Sequence, residues 1–355
     1  MPLPRPITAS LHLALWPFGI LALFLLPACS SSPRFGSELP RKGDEIVVAG
    51  RYFHTGAPVV LWTDPGGYDA YRIERRFVPI ADAGWDKTSQ SMPAPNRYDA
   101  RTAGLPDDEI EQVRGGGWTL DQLREVVDQF VIHYDVSGTS RACFRTLHDQ
   151  RRLSIHFMID IDGTIYQTLD VKERAWHATT SNTRSVGVEM ANIGAYKPNT
   201  PSPLSKWYAK DADGHTYITI PSSEGDGGVR TRTFVGRPME NDPITGEIQG
   251  ETLEMYDFTP EQYESLSRLA AALNAVLPRI ELTYPTDAEG NLITHKLPDE
   301  TLKNYRGILG HYHIQQNKAD PGPAMQWEFM TDRARALRAG RSAPLPSQDV
   351  MHPPL

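Results

Sequence analysis

The sequence predicts an α/β chain, and three observations carry that reading. Strand-length apolar runs stand at Phe130–Val136, at Ile155–Gln167 around an Asp162-Gly163 turn, and at Ser185–Met190. Thr119 and Thr259 each precede an apolar set at helical spacing, and each has a glutamine three residues on, the signature of a capping box. Further β-rich runs, Glu45–Ala49 and Pro58–Trp62, predict an N-terminal extension. These patterns give mixed strands and helices but not strand order.

The elements follow in order along the chain. Met1 to Ala28 holds a single basic residue, Arg5, then the apolar run Leu11–Leu26, and closes on Leu26-Pro27-Ala28-Cys29. That is the layout of a secretory signal, so residues 1–28 are expected to be a signal peptide. Cys29 directly after the small residue resembles a bacterial lipobox, whose thiol takes diacylglycerol and becomes the mature N-terminus. Pro17 and Pro27 bracket a stretch too short for a comfortable span of about 20 residues. The other cysteine of the chain is Cys143, so a lipidated Cys29 leaves no disulfide. Cys143 itself is expected to be a buried thiol rather than a nucleophile. Residues 29–44 are polar enough to be a flexible tether. The expected place is the cell envelope, lipid-anchored; Ser30, where an aspartate would signal inner-membrane retention, favours an outer membrane facing the periplasm.

Residues 45–115 form the β-rich extension, broken by the strong turn signal Asp64-Pro65-Gly66-Gly67. The helix begun by Thr119 carries Leu120, Leu123, Val126, Val127 and Phe130, and a strand follows from Phe130. After Met190 comes a long irregular segment, Asn192 to Asp257, too long for an ordinary connection. It is read as an insertion of about 195–257 with a small hairpin around His215–Ile220. Thr259, with Pro260 at the first helical position, then starts a helix whose stripe is Tyr263, Leu266, Leu269, Ala270, Leu273 and Leu277. A last helix is expected from about Ala324 to Arg338, and residues 341–355 are expected to be a disordered tail. The net charge of −8 comes from interspersed charges. No basic stripe suggests a nucleic-acid partner.

Chemistry concentrates in the run from Gly310 to Gly322, which holds His311, Lys318 and Asp320. Imidazole nitrogen and carboxylate oxygen are good zinc ligands, and a catalytic zinc takes three protein ligands and leaves one position open. His133, closing an apolar strand, is the candidate third ligand, and the set suggests a zinc hydrolase. His313 would face away from such a metal if the segment is extended. His54, His148, His215, His295 and His352 read as surface residues, and His156 as a group facing the core.

Five motifs stand in a recognisable order: His133 after its strand, Ser154-Ile155-His156-Phe157 with the Asp162-Gly163 turn, Arg174-Ala175-Trp176-His177-Ala178, Val186-Gly187-Val188-Glu189, and Gly310-His311 through Lys318-Ala319-Asp320-Pro321-Gly322. In that order they resemble the type-2 N-acetylmuramoyl-L-alanine amidases, relatives of the peptidoglycan recognition proteins. The resemblance runs from about Thr119 to Arg338, without the insertion. It implies a central mixed β-sheet flanked by helices, with Zn2+ in a cleft at the sheet edge, over a catalytic domain of 116–340. It implies zinc on His133, His311 and Asp320, catalysis by Glu189 and Lys318, and substrate contacts by Trp176 and His177. The substrate implied is peptidoglycan or muropeptides, cut between N-acetylmuramic acid and L-alanine. Glu189 on a buried strand should hold a raised pKa, suiting it to carry a proton from water to the leaving amine. Lys318 could hold the developing oxyanion. The competing reading for Glu189 is a salt bridge to an arginine such as Arg184; for Lys318 it is a solvated loop lysine. Two other functions stay open: a peptidoglycan-binding protein without catalysis, and a zinc peptidase acting on the stem peptide.

Overall fold

The structure is a computed structural model that describes residues 1, 35–36, 38–84, 97–102 and 104–341. The expected signal peptide after Met1, Cys29, His352 and the tail beyond Arg341 lie outside these residues. Met1–Pro40 and Arg41–Leu355 are separate units, and the elements below belong to the second. Among the described residues no helix is long and apolar enough to cross a membrane.

The N-terminal extension supplies β1 (Glu45–Val48) and β2 (Arg51–His54), paired as a hairpin, then β3 (Val59–Leu61) and β4 (Tyr98–Ala100). Helices α1 (Asp107–Arg114) and α2 (Leu120–Val126) lead into β5 (Gln129–Tyr134). α3 (Ser140–Phe144) continues as a π-helical stretch to Arg151. Strands β6 (Phe157–Ile159), β7 (Ile165–Gln167), β8 (Glu173–Ala175) and β9 (Ser185–Met190) follow. The insertion carries α4 (Leu204–Trp207) and two hairpins: β10 (Tyr208–Lys210) with β11 (Thr216–Ile218), and β12 (Ile244–Ile248) with β13 (Glu251–Met255). The chain closes with α5 (Pro260–Val276), α6 (Asp299–Asn304), β14 (Gly307–Gly310) and α7 (Trp327–Arg338).

Six strands make one mixed sheet in the order β14-β5-β9-β6-β7-β3, with β6 and β7 antiparallel and the other neighbours parallel. Side chains alternate between its faces. Phe130, Ile132, Val186 and Val188 bury against one core shared with Leu123 of α2, Leu266 and Leu273 of α5, and Met330 of α7. Met158 and Tyr166 face the other way, onto Cys143 and Phe144 of α3. The architecture is therefore the expected mixed sheet with helices on both sides. Its edge strand β3 comes from the N-terminal extension, parallel to β7.

Both capping boxes form: Thr119 and Thr259 accept from the backbone of Gln122 and Gln262, whose side chains reach back to the caps. The small hairpin around His215 is β10–β11. Three expectations need correction. The first helix stops at Val126 rather than carrying Phe130, because Phe130 is needed in the sheet opposite Val186. The last helix starts at Trp327, three residues late. His148, expected at the surface, is 1% exposed. Its Nδ1 lies 2.8 Å from Asp149 Oδ1 and its Nε2 3.1 Å from Arg72 O. Asp149 in turn accepts from Arg76 N and Phe77 N. The extension covers this helix, and no local pattern around His148 announces a cover contributed from so far away.

Candidate active site

The site forms where three adjacent strands end. In register, His133 on β5 pairs with Glu189 on β9, and Gly310, the last residue of β14, pairs with Ile132. One step beyond Gly310, His311 therefore stands beside His133. Parallel pairing alone sets His311, His133 and Glu189 abreast on the face opposite α5.

His311 opens a 3-10 turn, His311–His313, and the chain then loops back so that Tyr312 N donates to Asp320 O at 3.1 Å. This return brings three ligand atoms together. His133 Nδ1 lies 2.8 Å and His311 Nδ1 2.9 Å from Asp320 Oδ2, and the two nitrogens are 3.1 Å apart. All three residues are buried. The other ring nitrogens are tied back: His133 Nε2 lies 3.0 Å from His177 Nδ1, and His311 Nε2 lies 2.6 Å from Gln315 Oε1. His311 Nε2–H can donate only to the Gln315 oxygen, which leaves the Nδ1 lone pair facing the centre. His177 Nε2 lies 3.2 Å from Ser185 Oγ. With that N–H donated to the serine, His177 Nδ1 accepts from His133 Nε2 and frees His133 Nδ1 in the same way.

Electrostatics agree with an acceptor-rich centre. Burial, together with neighbouring His311, pushes His133 down to about 4, so its imidazole is neutral. Burial opposes ionisation of Asp320, but His311 and His133 beside it outweigh that and hold its carboxyl well below the usual range. Two imidazole nitrogens and one carboxylate oxygen converging, with both imidazoles held from behind, are the donor set and support that a zinc ion requires. The residues fit the metal.

Glu189 stands one strand away. Burial raises its pKa well above the ordinary value, and the nearby Asp320 and Asp135 add to the rise. Its Oε2 is buried with no hydrogen-bond partner among the described residues. Arg184 does not reach it; that guanidinium holds Asp128 through two bonds of 2.6 Å. Lys318, half-buried, lines the same cleft as Glu189, His133 and Asp320.

Trp176 and His177 also edge the cleft. Trp176 is fixed by its backbone N–H, which donates to Ser154 Oγ at 2.9 Å, and its ring lies under the Arg174 guanidinium at 4.8 Å. His177 rests on β9 at Gly187, where a methyl group would sit 2.5 Å from its Cε1. That glycine leaves the room the imidazole needs beside His133.

The remaining histidines are spoken for. His313 accepts from Gly310 N at 2.9 Å through Nδ1 and donates to Ile293 O at 2.7 Å through Nε2. The turn is 3-10 rather than extended, yet His313 still points away from the centre. His156, fully buried, accepts from Gly187 N and donates to Glu173 O at 2.9 Å. His54 is exposed and paired with Asp44 at 2.8 Å; His215 and His295 are exposed as expected. Gln315 and Ser185 were not found from the sequence. Gln315 stands four residues after His311, a spacing that places it one turn on; Ser185 carries no signal of its own.

A family model described as N-acetylmuramoyl-L-alanine amidase matches residues 123–323. Among solved structures, the chain is similar to an AmpD selenomethionine derivative, at 16% identity over 69% of this chain and 98% of that one, with a TM-score of 0.31. It is similar to AmiD from E. coli, solved with anhydro-N-acetylmuramic acid-L-Ala-D-gamma-Glu-L-Lys, at 19% identity over 58% and 57% of the two chains, with a TM-score of 0.32. A Clostridium intestinale endolysin amidase, LysCS, matches at 15% identity over 60% and 86%, with a TM-score of 0.32. No curated protein sequence matches the chain.

Proposed function

The chain belongs to the N-acetylmuramoyl-L-alanine amidase family, and from that premise we propose that it is a zinc-dependent amidase, with the ion held by His133, His311 and Asp320. The bond cut is the amide between N-acetylmuramic acid and L-alanine in peptidoglycan or its fragments. The observation that carries this reading is the convergence of two imidazole nitrogens and one carboxylate oxygen within 2.8–3.1 Å of one another.

Zinc at such a site supplies a water of lowered pKa and polarises the scissile carbonyl. The chain's own groups do the rest. Glu189, with its raised pKa and an unpartnered oxygen, takes the proton from water and passes it to the leaving L-alanine nitrogen. Lys318, on the same cleft wall, offers its ammonium to the oxyanion that develops on the carbonyl. His177 and Gln315 orient the ligand imidazoles from behind. Trp176 offers an indole face to the substrate at the cleft's edge.

Metal analysis tests the ligand set. Wild-type protein should hold one zinc per chain, His133→Ala should lose it, and His313→Ala should keep it. Zinc lost from the His313 variant alone would overturn the assignment. The anchor is proposed separately, from sequence: lipidated Cys29 would tether the enzyme to the envelope, facing the periplasm. Cys29→Ser should then move the protein out of the membrane fraction, or leave its signal uncleaved, with activity in vitro unchanged. Wild-type protein found soluble in the periplasm and starting past Cys29 would refute the anchor.

A further inference from the structure

The geometry points to Gln249, at the tip of the β12–β13 hairpin in the insertion, as the residue that holds the metal-binding loop in its closed shape. This inference rests on the zinc-site reading above and gives the insertion a role in the reaction.

The loop from His311 to Asp320 must place a ligand at each end and Lys318 between them, yet it has little regular structure to stiffen it. Three of its carbonyls are gathered by one side chain from elsewhere. Gln249 Nε2 donates to Tyr312 O at 2.8 Å and Gln315 O at 3.1 Å, with Lys318 O at 3.5 Å. The carbonyls so engaged belong to a residue next to ligand His311, to the residue supporting His311, and to Lys318 itself. The other end of the amide is also used: Gln249 Oε1 accepts from Lys296 N at 3.2 Å, while its backbone N donates to Thr294 O at 2.9 Å. The same neighbouring segment also grips the loop directly, through Ile293 O to His313 Nε2 and Leu297 N to His313 O. The hairpin also lies directly against the chain just past Asp320. A methyl group at Gly246 would sit 2.8 Å from Pro323 Cβ, and one at Gly322 would sit 2.3 Å from Met255 Sδ.

The backbone at Gln249 argues that the side chain, not the turn, selects this residue. Gln249 and Gly250 both have positive φ, 55° and 76°. A two-residue hairpin loop of that kind favours asparagine or glycine at its first position. Glutamine there sits in a left-handed conformation that asparagine or glycine adopts more easily. Asparagine would ease the turn but falls one methylene short of the loop carbonyls.

This gives a test in which folding and positioning pull apart. Gln249→Asn and Gln249→Gly both suit the turn better than glutamine, so a role confined to the turn predicts unchanged or raised Tm with unchanged zinc binding. A positioning role predicts zinc affinity, measured by chelator competition, weaker by about tenfold or more in both variants. It also predicts a lower kcat with KM near wild type. Hydrogen exchange of the amides from residue 312 to 319 in metal-free protein should speed up in both variants. Zinc affinity within twofold of wild type and unchanged exchange would overturn the inference. Should wild-type protein bind no zinc at all, the proposed function fails, and faster loop exchange in the variants would still uphold the clamp while unchanged exchange would sink it too.

Discussion

At the scale of single residues, the roles proposed for Glu189 and Lys318 divide the work of amide hydrolysis, and the settings of the two residues differ. Glu189 is fixed by strand pairing beside His133, and its Oε2 has no hydrogen-bond partner among the described residues. Lys318 sits on a loop whose carbonyl is held by Gln249. Neither belongs to the converging ligand set, so removing either should leave zinc bound. Glu189→Gln keeps the shape but cannot accept a proton, and kcat should fall by about 10² or more. Lys318→Ala should lower kcat by about 10²–10³ through loss of oxyanion stabilisation. Zinc content measured beside steady-state kinetics separates chemistry from metal binding. Near-wild-type turnover in both variants would remove these roles. A dead Glu189→Gln beside an active Lys318→Ala would mean that the loop aims its lysine elsewhere and another donor holds the oxyanion. That His133, His311, Lys318 and Asp320 share one cleft was legible in the sequence because imidazole, ammonium and carboxylate crowd one short motif beside a strand-ending histidine, while Glu189 was reached through the family resemblance. Gln315, Ser185 and Gln249 were not, since a neutral hydrogen-bonding side chain leaves no pattern until its partner's position is known.

At the scale of elements, the sequence spoke most clearly where local chemistry decides structure. The capping boxes at Thr119 and Thr259 formed as written, because both halves of each box lie within one turn. β9 runs from Ser185 to Met190 as its apolar run indicated. What local pattern missed was set by distant partners: the end of α2, decided by Phe130 joining the sheet, and the burial of His148 under the extension. The two caps also differ in what depends on them. Thr119 is exposed, whereas Thr259 is fully buried and its hydroxyl also donates to Ile161 O at 2.7 Å, tying α5 to the turn between β6 and β7. Thr119→Ala should cost no more than about 1 kcal/mol. Thr259→Ala loses the cap and also strands a buried carbonyl, so it should cost about 2 kcal/mol or more. In thermal melts the Thr259 variant should therefore show clearly the larger fall in Tm. Equal falls would mean that the Ile161 bond contributes nothing.

At the scale of the whole molecule, the N-terminal extension and the insertion both build on the sheet that carries the site. β3 closes one edge of it. Arg101, just past β4, is fully buried and donates to Val171 O, Asn182 O, Thr183 O and Ser185 O. It thereby fixes the start of β9, the strand that carries Glu189, and the carbonyl of Asn182, whose side chain accepts from His177 N. The insertion reaches the other end of the site through Gln249. Chain that reads as irregular or accessory in sequence thus supports the two segments that the chemistry needs held still. The proposed reaction is tested most directly by a digest of purified peptidoglycan with the zinc-loaded protein, followed by mass spectrometry. Released stem peptides bearing a free L-alanine amine, with muramic acid lactyl groups left on the glycan, are the expected products; cuts within the stem peptide, or no release at all, would contradict it.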